Sequence, residues 1–579
     1  MTQEIAFPMP GFEYQLILKH ILEHTAKMRP EGEIVYRDHF RENYAQLYER
    51  CQRLSNALKG LGVKEGSKVM CFEWNTHRFL ETYFAVPCMG AMVHMGNPLL
   101  TPEQIAYLIN RAEDDVIIFN KDFTSIIESI SDKLTTVKHY IVLADDEKLP
   151  ETTLNPISEY EELLRAASPH YEYPDLNENT VASLSNTTGT TGDPKICFFT
   201  HRQHIMHTII WSNMLMGFSG ERGLDPRRDM TIQLVPMFHA HGWGIPYMAT
   251  FLGCKQVYPG RFDPKIFLEM LKKEKHPGQG GYMACVATML NMIISHPEVE
   301  QYKEYFNGLI YEGGGMRLNT ILARKAKELG MDICSGWGMT EAYPKVGLQY
   351  LKPHMFDWPE DKKIEFLSGT GIAPPFVEQR VIDEQGNDVA RDGKAVGEVV
   401  LRAPWLTMGY YKDSEKSKEL WRDGWMHSGD MAVIDKEESV VIIDRSKDVV
   451  KSGGEWISTL TLENLINMHP KVQEVVVFAA QSEKWGERPV VLLVAKDKYK
   501  GTISEAELKD HMTQYVKEGK ILKWWIPEKF IFVDHIARTS VGKFDKKAIR
   551  ALYGDVLEGK YPKNMHNHSI SDTHVLNKK

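Results

Sequence analysis

Cysteine is scarce in this chain of 579 residues, and no two cysteines form a C-x-x-C pair. An odd number, seven, is scattered along the chain: Cys51, Cys71, Cys88, Cys197, Cys254, Cys285 and Cys334. Zinc sites and disulfide frameworks need clustered or regularly spaced cysteines, so this pattern disfavours both. It is typical of buried thiols in a reducing cytosol.

Long apolar runs are also missing. The mean hydropathy is -0.34, and no uncharged apolar stretch is long enough for a membrane span. The N-terminus carries Glu4, Pro8 and Pro10 where a signal peptide needs a basic start and an apolar core. We therefore expect a cytoplasmic protein without a membrane span.

The chain lacks the positive net charge of a general nucleic-acid binder, because its formal charge is -9. The charge is uneven, however: the part from Lys451 to the end carries +5, which leaves -14 for the rest. A basic C-terminal part facing an acidic body favours a polyanionic ligand between them. Taken alone, ordinary solvated surface is the simpler interpretation of this difference.

What the sequence does contain is the alternation of an α/β protein with largely buried sheets. Leu47, Cys51, Leu54, Leu58 and Leu61 recur at helical spacing and predict a helix that stops at Gly62, and residues 68–72 follow as a strand. Short β-rich runs separated by turn residues occupy 397–450. Beyond about residue 447 the pattern predicts a separate small domain.

One loop carries most of the chemical information. After a strand predicted at 181–184, the chain reads Thr187-Thr188-Gly189-Thr190-Thr191-Gly192-Asp193-Pro194-Lys195. Glycines permit close backbone approach, hydroxyls donate hydrogen bonds and a lysine supplies charge, which together predict a phosphate cradle. It is not a Walker A loop, because Asp193-Pro194 separates the last glycine from Lys195 and Ile196 follows. The alternative is a Thr/Gly-rich surface turn.

This loop resembles the signature loop of the AMP-forming acyl-CoA synthetases and their adenylating relatives, the superfamily that includes firefly luciferase and peptide-synthetase adenylation domains. Further segments are similar to that family's motifs, in the expected order: Gly336–Glu341, Trp425–Asp430, Asp444–Asp448, Lys451–Ser458 and Arg538–Lys543. The resemblance covers nearly the whole chain. It is closest to the fatty-acyl branch, because Lys451–Ser458 and Pro236–His239 are similar to long- and medium-chain members.

The resemblance implies the domain organisation. An N-terminal adenylate-forming domain over residues 1–446 would hold two α/β sheets and a β-rich subdomain, and would bind the acyl group and ATP. A small mobile α+β cap would follow over 447–579, with a polar tail from about residue 562. Lysine loops at Lys451 and Lys543 both belong to the cap, yet each serves the same active site in the family. The cap would therefore rotate about Lys447, the implied hinge, between two half-reactions.

The resemblance also implies the reaction, an ATP-dependent carboxylate:coenzyme A ligation that forms AMP and pyrophosphate. Its cofactors would be ATP, Mg²⁺ and coenzyme A. Lys543 would bridge the carboxylate and the α-phosphate, where two like charges meet. Glu341 would be the Mg²⁺ ligand, since a hard cation prefers carboxylate oxygen, and Thr340 would donate to the α-phosphate.

The nucleotide would be held by residues from several of these motifs. Asp430 is suited to accept both ribose hydroxyls, with Arg445 as a second ribose contact. Trp337 would stack on adenine between Gly336 and Gly338, while the backbone of Gly313, Gly314 and Gly315 lines the other face. Each residue alone is more often core, turn or solvated surface, so the ordered set of motifs carries the prediction.

Coenzyme A and the acid would meet other segments. The implied thioesterification loop contains Lys451, Ser452, Gly453, Gly454, Glu455 and Trp456. The acyl pocket would be formed by His239, which faces the carboxylate, together with His241, Trp243 as a gate, Gly244 and Met283. These walls suit either a flexible alkyl chain or a flat ring. No acid replaces His239 where amino-acid-activating relatives place an Asp, so an amino-acid substrate is not expected.

Three functions remain open at this point. A medium- or long-chain fatty acid is the leading substrate, and a benzoate- or naphthoate-like acid is the alternative. A nucleotide-binding module without turnover is the third, although the lysine loops and Glu341 are all present. The expected partners are small molecules and no nucleic acid, and a homodimer is carried over from the family by analogy only.

The chain departs from the family pattern at three places: Ile196 stands where glycine is usual, residues 311–317 replace a Gly-Gly-Ala-Pro type segment, and Trp337 is larger than the usual Tyr. Because 311–317 and Trp337 lie where acyl pocket and nucleotide meet, we hypothesise an unusual acyl substrate.

Overall fold

The computed structural model describes residues 12–187, 194–218, 220–276, 278–315, 318–453, 455–538 and 544–560. The part up to residue 200 alternates helices with strands. Its elements are α1 (Lys19–Met28), β1 (Glu33–Tyr36), β2 (Phe40–Asn43), α2 (Tyr44–Gly60), β3 (Lys68–Phe72), α3 (His77–Cys88), β4 (Met92–Met95), α4 (Pro102–Ala112), β5 (Val116–Asn120), α5 (Thr124–Ile130), β6 (His139–Leu143), β7 (Ile157–Glu159), α6 (Tyr160–Ala166), β8 (Val181–Asn186) and β9 (Ile196–Thr200).

The next part repeats this alternation. It contains α7 (His201–Phe218), β10 (Met230–Gln233), α8 (Ile245–Leu252), β11 (Lys255–Tyr258), α9 (Pro264–Glu274), β12 (Gly281–Val286), α10 (Ala287–Ile294), α11 (Lys303–Phe306), β13 (Leu309–Gly314), α12 (Thr320–Glu328), β14 (Asp332–Gly338), β15 (Lys345–Gln349) and α13 (Glu360–Leu367). A β-rich part follows with β16 (Glu378–Ile382), β17 (Gly397–Arg402), α14 (Ser414–Leu420), β18 (Trp421–Arg422), β19 (Trp425–Ile434) and β20 (Val440–Arg445).

The C-terminal part is smaller. Its elements are β21 (Val450–Ser452), β22 (Glu455–Ile457), α15 (Thr459–Asn467), β23 (Val472–Ser482), β24 (Gly486–Ala495), α16 (Glu505–Lys517), β25 (Lys529–Phe532) and α17 (Lys546–Tyr553). Two apolar clusters lie on the two faces of its sheet, one around Val477 and Leu493 and the other around Phe478 and Leu492.

Two large sheets form the N-terminal body. A seven-stranded sheet has the order β7-β6-β5-β3-β4-β8-β9, parallel except for β9, and an eight-stranded sheet has the order β15-β14-β13-β12-β10-β11-β1-β2. The hairpin β1–β2 precedes the first sheet in the chain but joins the edge of the second, where β1 pairs with β11. The predicted fold class, an α/β body with two sheets, a β-rich subdomain and a small C-terminal domain, is confirmed.

Local sequence explains why single elements form where they do. In α2, Asn43 and Gln46 build a capping box at the start, and the buried face holds the predicted Leu47, Cys51, Leu54 and Leu58. Strand β3 spans the predicted residues 68–72.

The cysteines behave as predicted. All seven are free and buried in the structure. Among the helices of the described ranges, none carries an apolar stretch long enough to cross a bilayer.

Candidate active site

Three parts of the body converge at one place: the β8–β9 hairpin, the end of β14 and the β-rich sheet. The Tyr411 amide donates to the Ile196 carbonyl oxygen over 2.7 Å, which ties the hairpin to the segment after β17. The Tyr410 hydroxyl donates to Glu341 Oε1 over 2.7 Å, which ties the same segment to the turn after β14. Motif residues far apart in sequence are thereby brought together.

The predicted phosphate loop connects β8 to β9, and its base is closed. The Thr187 amide donates to the Lys195 carbonyl oxygen over 2.8 Å, and the Lys195 amide donates to Thr187 Oγ1 over 3.1 Å. Thr188, Gly189, Thr190, Thr191 and Gly192 lie outside the described residues. The closed base brings the two ends of the predicted loop together, a geometry that suits a phosphate cradle.

Lys195 and Glu341 approach the same tyrosine from two sides. The Lys195 ammonium lies 4.4 Å from the centre of the Tyr410 ring, while the Tyr410 hydroxyl bonds Glu341. Burial, followed by the nearby Glu341 carboxylate, raises the pKa of Tyr410, so its hydroxyl stays a donor at neutral pH. Thr340 and Glu341 sit in the short turn Thr340–Ala342 directly after β14.

The donor set fits the Mg²⁺ that the resemblance implies. Glu341 is largely buried, with Oε1 held by Tyr410, and its backbone oxygen accepts from the Thr407 amide over 2.9 Å. A fixed carboxylate near a phosphate loop offers the hard oxygen that Mg²⁺ binds, and a triphosphate supplies the others. Among the described residues no cluster of three or more His, Cys, Asp or Glu forms an all-protein metal site.

The predicted nucleotide residues Trp337, Asp430 and Arg445 form one contact group. The Trp337 indole Nε1 donates to Asp430 Oδ2 over 3.0 Å, and Arg445 Nε lies 2.7 Å from Asp430 Oδ1. Burial raises the pKa of Asp430, and Arg445 and the Trp337 hydrogen bond oppose that shift. Each carboxylate oxygen has a second lone pair, so Asp430 retains acceptor capacity for ribose hydroxyls.

The glycines around Trp337 are required by the protein itself. A Cβ at Gly336 would lie 2.9 Å from Glu312 Oε1, and one at Gly338 would overlap the Pro344 carbonyl oxygen. Gly313 and Gly314 end β13 next to β12, and Gly315 has a φ of +78°. Met316 and Arg317 lie outside the described residues.

A left-handed turn follows His239. Five consecutive residues, 240–244, have positive φ values between 45° and 74°, although only two of them are glycines. Each L-residue in this region costs about 1–2 kcal/mol, and such strain concentrates at functional sites. The turn directs Trp243 at Gly314, where a Cβ would lie 2.5 Å from the Trp243 ring atom Cη2. No motif in the sequence predicts this turn.

His239 and His241 differ in how deeply their side chains are buried. His239 is half-buried, whereas His241 is fully buried and its Nε2 lies 2.7 Å from Ser183 Oγ. The His241 ring stacks on Tyr343 with centroids 4.5 Å apart. Burial lowers the pKa of His241 to about 3, so the ring is neutral. Its partners place His241 in a packed cluster behind the turn.

Met283 does not lie beside Trp243. On β12 the side chains alternate between the two faces of the sheet, and Tyr282 and Ala284 share an apolar cluster with Trp243. Met283 packs on the opposite face with Leu234 and Cys285.

One buried ion pair is not predicted by any motif in the sequence. Lys345 Nζ lies 2.7 Å from Glu312 Oε1, and the Tyr282 hydroxyl donates to Glu312 Oε2 over 2.5 Å. Glu312 directly precedes Gly313 and belongs to the segment 311–317, which departs from the family pattern. This departure is the sequence signal that could have pointed to the buried pair. Lys345 stands four residues after Glu341 without a motif of its own.

The predicted coenzyme A loop forms the hairpin β21–β22. Lys451 pairs with Trp456 across the hairpin, and its ammonium lies 4.6 Å from the Trp456 ring and 2.8 Å from Glu384 Oε1. Ser452 accepts from Arg488 over 3.3 Å, and the Gly453 amide donates to the Trp485 carbonyl oxygen. Gly454 and the Glu455 side chain lie outside what the structure describes.

The remaining predicted residues concern the cap. Lys447 follows β20, and its carbonyl oxygen accepts from Arg550. Lys543 lies outside the described residues. The roles of Lys447 as hinge and Lys543 as catalytic lysine therefore stay predictions.

Comparisons with known proteins bear directly on the family. Residues 22–411 match the AMP-binding enzyme family, and residues 461–543 match the AMP-binding enzyme C-terminal domain. A long-chain-fatty-acid–CoA ligase of Thermus thermophilus is 36% identical over 96% of this chain and 98% of its own length. A medium-chain-fatty-acid–CoA ligase of Ectopseudomonas oleovorans is 30% identical over 94% and 97%.

Solved structures share the fold. The anthranilate CoA ligase AuaEII in complex with anthranoyl-AMP superposes with a TM-score of 0.79 at 22% identity, covering 93% of this chain and 98% of that chain. ATP-bound MatB from Rhodopseudomonas palustris gives a TM-score of 0.77 at 22% identity, over 94% and 100%. The resemblance predicted from the motifs is confirmed. The chain belongs to the AMP-binding enzyme family, in the acyl-CoA synthetase branch, whose acid–thiol ligase chemistry uses ATP, Mg²⁺ and coenzyme A.

Proposed function

We propose that this protein joins a carboxylic acid to coenzyme A in two steps. A carboxylate oxygen attacks the α-phosphorus of ATP, and the bond to pyrophosphate breaks. The coenzyme A sulfur, after losing its proton, then attacks the acyl carbon and AMP leaves. The observation that carries this proposal is the convergence of Lys195, Glu341 and Asp430 around one site, supported by the named relatives.

The roles of these side chains follow from their contacts. Lys195 and the phosphate loop would hold the triphosphate, and Thr340 would donate to the α-phosphate. Asp430, oriented by Trp337 and Arg445, would hold the ribose. Glu341 would hold Mg²⁺, which when bound neutralises charge on the phosphates.

For the acid, we propose a medium- or long-chain fatty acid. Relatives that are 30% or more identical are named for aliphatic acids, and 3-methylmercaptopropionyl-CoA ligase of Ruegeria lacuscaerulensis, 32% identical, is one of them. Aromatic acids occur in the names of structures only 21–22% identical, whose likeness concerns the fold. Trp243 and Gly314 supply an apolar wall that suits an alkyl chain.

The cap would act by rotation. We propose residues 1–446 as the adenylating body and 447–579 as the cap, with Lys447 as hinge. Lys543 would serve the first step, and the loop Lys451–Trp456 the second. The Lys451–Glu384 ion pair is exposed, and such pairs contribute only about 0–1 kcal/mol, so it would not prevent rotation.

Compartment and assembly belong to the same proposal. Seven buried free thiols support the cytosol. A homodimer remains an analogy with the family.

An end-product assay tests this function. Purified protein is incubated with ATP, Mg²⁺, coenzyme A and single acids, namely saturated fatty acids from butanoate to hexadecanoate, benzoate and 2-naphthoate. We expect AMP, pyrophosphate and an acyl-CoA thioester, with fatty acids preferred. Release of ADP, or no thioester with any acid, would contradict the ligase, and preference for flat rings would contradict the fatty acid.

A further inference from the structure

A buried ion pair lies behind the wall that Trp243 and Gly314 form. Glu312 and Lys345 have side chains only 1% and 4% exposed, and Lys345 Nζ lies 2.7 and 2.9 Å from the two Glu312 oxygens. Tyr282 completes the group, because its hydroxyl donates to Glu312 and accepts from Lys345 over 3.2 Å. The three side chains come from β13, β15 and β12 of one sheet.

Lys345 of this pair lies close to the indole of Trp243. The Lys345 ammonium lies 5.9 Å from the centre of the Trp243 ring, 5.1 Å from that of Trp211 and 5.8 Å from that of Tyr282, within cation–π range. The same indole packs against Gly314, where a Cβ would lie 2.5 Å away. The Trp243 ring therefore lies close both to Gly314 and to the buried ammonium of Lys345.

Stability alone explains the pair poorly. Replacing a buried ion pair by apolar residues of similar volume is often neutral or stabilising, so retention of such a pair points to another role. Neither charge has a part in the adenylation or thioester steps proposed above.

We propose that the Glu312–Lys345 pair determines specificity by limiting the length of the acyl chain. The inference rests on the proposed function and narrows its substrate to acids of medium length. An alkyl tail that displaces the Trp243 ring meets two charges held at close range by Tyr282. Methylene groups form no hydrogen bonds with Glu312 or Lys345, and a displaced Trp243 ring loses its cation–π contact with Lys345. Binding of long alkyl tails is therefore disfavoured.

The test measures kcat/KM for even-numbered saturated acids from hexanoate to hexadecanoate. In the wild type we expect an optimum at medium length. In the double variant Glu312→Gln/Lys345→Met, which removes both charges at similar volume, we expect the optimum to move to longer acids. The ratio of hexadecanoate to octanoate should rise about tenfold, the scale on which apolar pockets discriminate.

A control pair lies at another strand of that sheet. Lys255 on β11 and Glu274 at the end of α9 also form a close ion pair, 2.7 Å apart. The variant Glu274→Gln/Lys255→Met makes the same two substitutions there, and its chain-length optimum should not move. Thermal unfolding confirms that each variant is folded. If the first double variant does not fold, Glu312→Gln/Lys345→Gln keeps a hydrogen bond and should move the optimum in the same direction.

Two results would overturn the inference. The first is an unmoved optimum in a folded charge-free variant. The second is a wild-type preference for ω-amino or ω-carboxy acids over plain acids that the variant loses, because the pair would then bind substrate. A wild type that forms no acyl-CoA at all would refute the proposed ligase itself, a result distinct from an unmoved optimum.

Discussion

The indole Nε1 of Trp337 donates a hydrogen bond to Oδ2 of Asp430 over 3.0 Å, and thereby joins the end of β14 to β19. The predicted adenine contact and the predicted ribose contact are thus one unit. Arg445 completes it from β20, the partner strand of β19. A nucleotide bound here would meet a carboxylate already oriented from two sides.

Removing the indole donor should weaken ATP binding. In Trp337→Phe the ring that would stack on adenine remains, but Asp430 loses a hydrogen bond. A hydrogen bond to a charged group is worth about 1.5–3 kcal/mol, so kcat/KM for ATP should fall by about tenfold or more. Trp74→Phe is the matched control, because Trp74 also donates to an aspartate, Asp122, over 3.0 Å. Equal losses in both variants would contradict the assigned role.

The Tyr410 hydroxyl should tune the Mg²⁺ requirement. Tyr410→Phe keeps the ring beneath Lys195 but removes the hydrogen bond that orients Glu341. Because a hydrogen bond to a charged group is worth about 1.5–3 kcal/mol, we expect the Mg²⁺ concentration for half-maximal activity to rise about tenfold or more. Glu341→Gln removes the charge and should lower adenylation by about a hundredfold or more. Pyrophosphate exchange across Mg²⁺ concentrations measures both, with Tyr411→Phe as the neighbouring control. An unchanged Mg²⁺ profile in Glu341→Gln would refute the ligand role.

Trp243 and Gly314 should be energetically coupled. A methyl group at 314 would lie 2.5 Å from the Trp243 ring, so Gly314→Ala should displace the indole and lower kcat/KM for the acid about tenfold. Trp243→Phe removes the clashing ring atoms, and the double variant should recover part of the loss. The expected coupling is about 1–2 kcal/mol in a double-mutant cycle on kcat/KM. Purely additive effects would show that the two residues do not share one wall.

Buried histidines should make the fold acid-sensitive. Burial lowers the pKa of His201 to about 4 and of His241 to about 3, and it also lowers the pKa values of His204 and His207. As the pH falls, a histidine whose pKa is lowered in the native state takes up its proton in the unfolded chain before it does so in the native chain. The free energy of unfolding should therefore decrease as pH falls below about 6.5, the unfolded value.

His207→Phe isolates one of these groups. Neither ring nitrogen of His207 has a hydrogen-bond partner in the part of the chain that the structure describes, and the ring packs on Trp211, Tyr343 and Trp405, so phenylalanine fits. Between about pH 4.5 and 6, the slope of the unfolding free energy against pH should be smaller in this variant than in the wild type by about 1.4 kcal/mol per pH unit. This difference corresponds to the uptake of one proton on unfolding. Urea unfolding at several pH values measures it, with the exposed His24→Gln as control. An unchanged slope would show that His207 already binds its proton in the native state.

The two lysine loops should separate the half-reactions. Lys543→Ala should abolish formation of the acyl adenylate but still allow coenzyme A to react with supplied acyl adenylate. Lys451→Ala should show the reverse pattern, with adenylation retained. Equal loss of both half-reactions in both variants would refute an exchange of loops by rotation.

Much of the local structure was determined by the sequence alone. Helical spacing and the Asn43 cap define α2, and alternating or continuous apolar runs define β3 and the strands of the C-terminal sheet. These features depend on neighbours within one or two turns, so periodicity predicts them. The ordered motifs likewise identified the family before any distance was known.

Tertiary structure decided what those motifs contact. The sequence grouped Met283 with Trp243, whereas the packing of β12 gives Tyr282 and Ala284 the apolar cluster of Trp243 and gives Met283 the cluster on the other face. Tyr410, which links Lys195 to Glu341, and Lys345, which pairs with Glu312, belong to no motif. Their partners lie on different strands, and which strands become neighbours depends on how whole sheets pair and pack, a property that local periodicity does not contain.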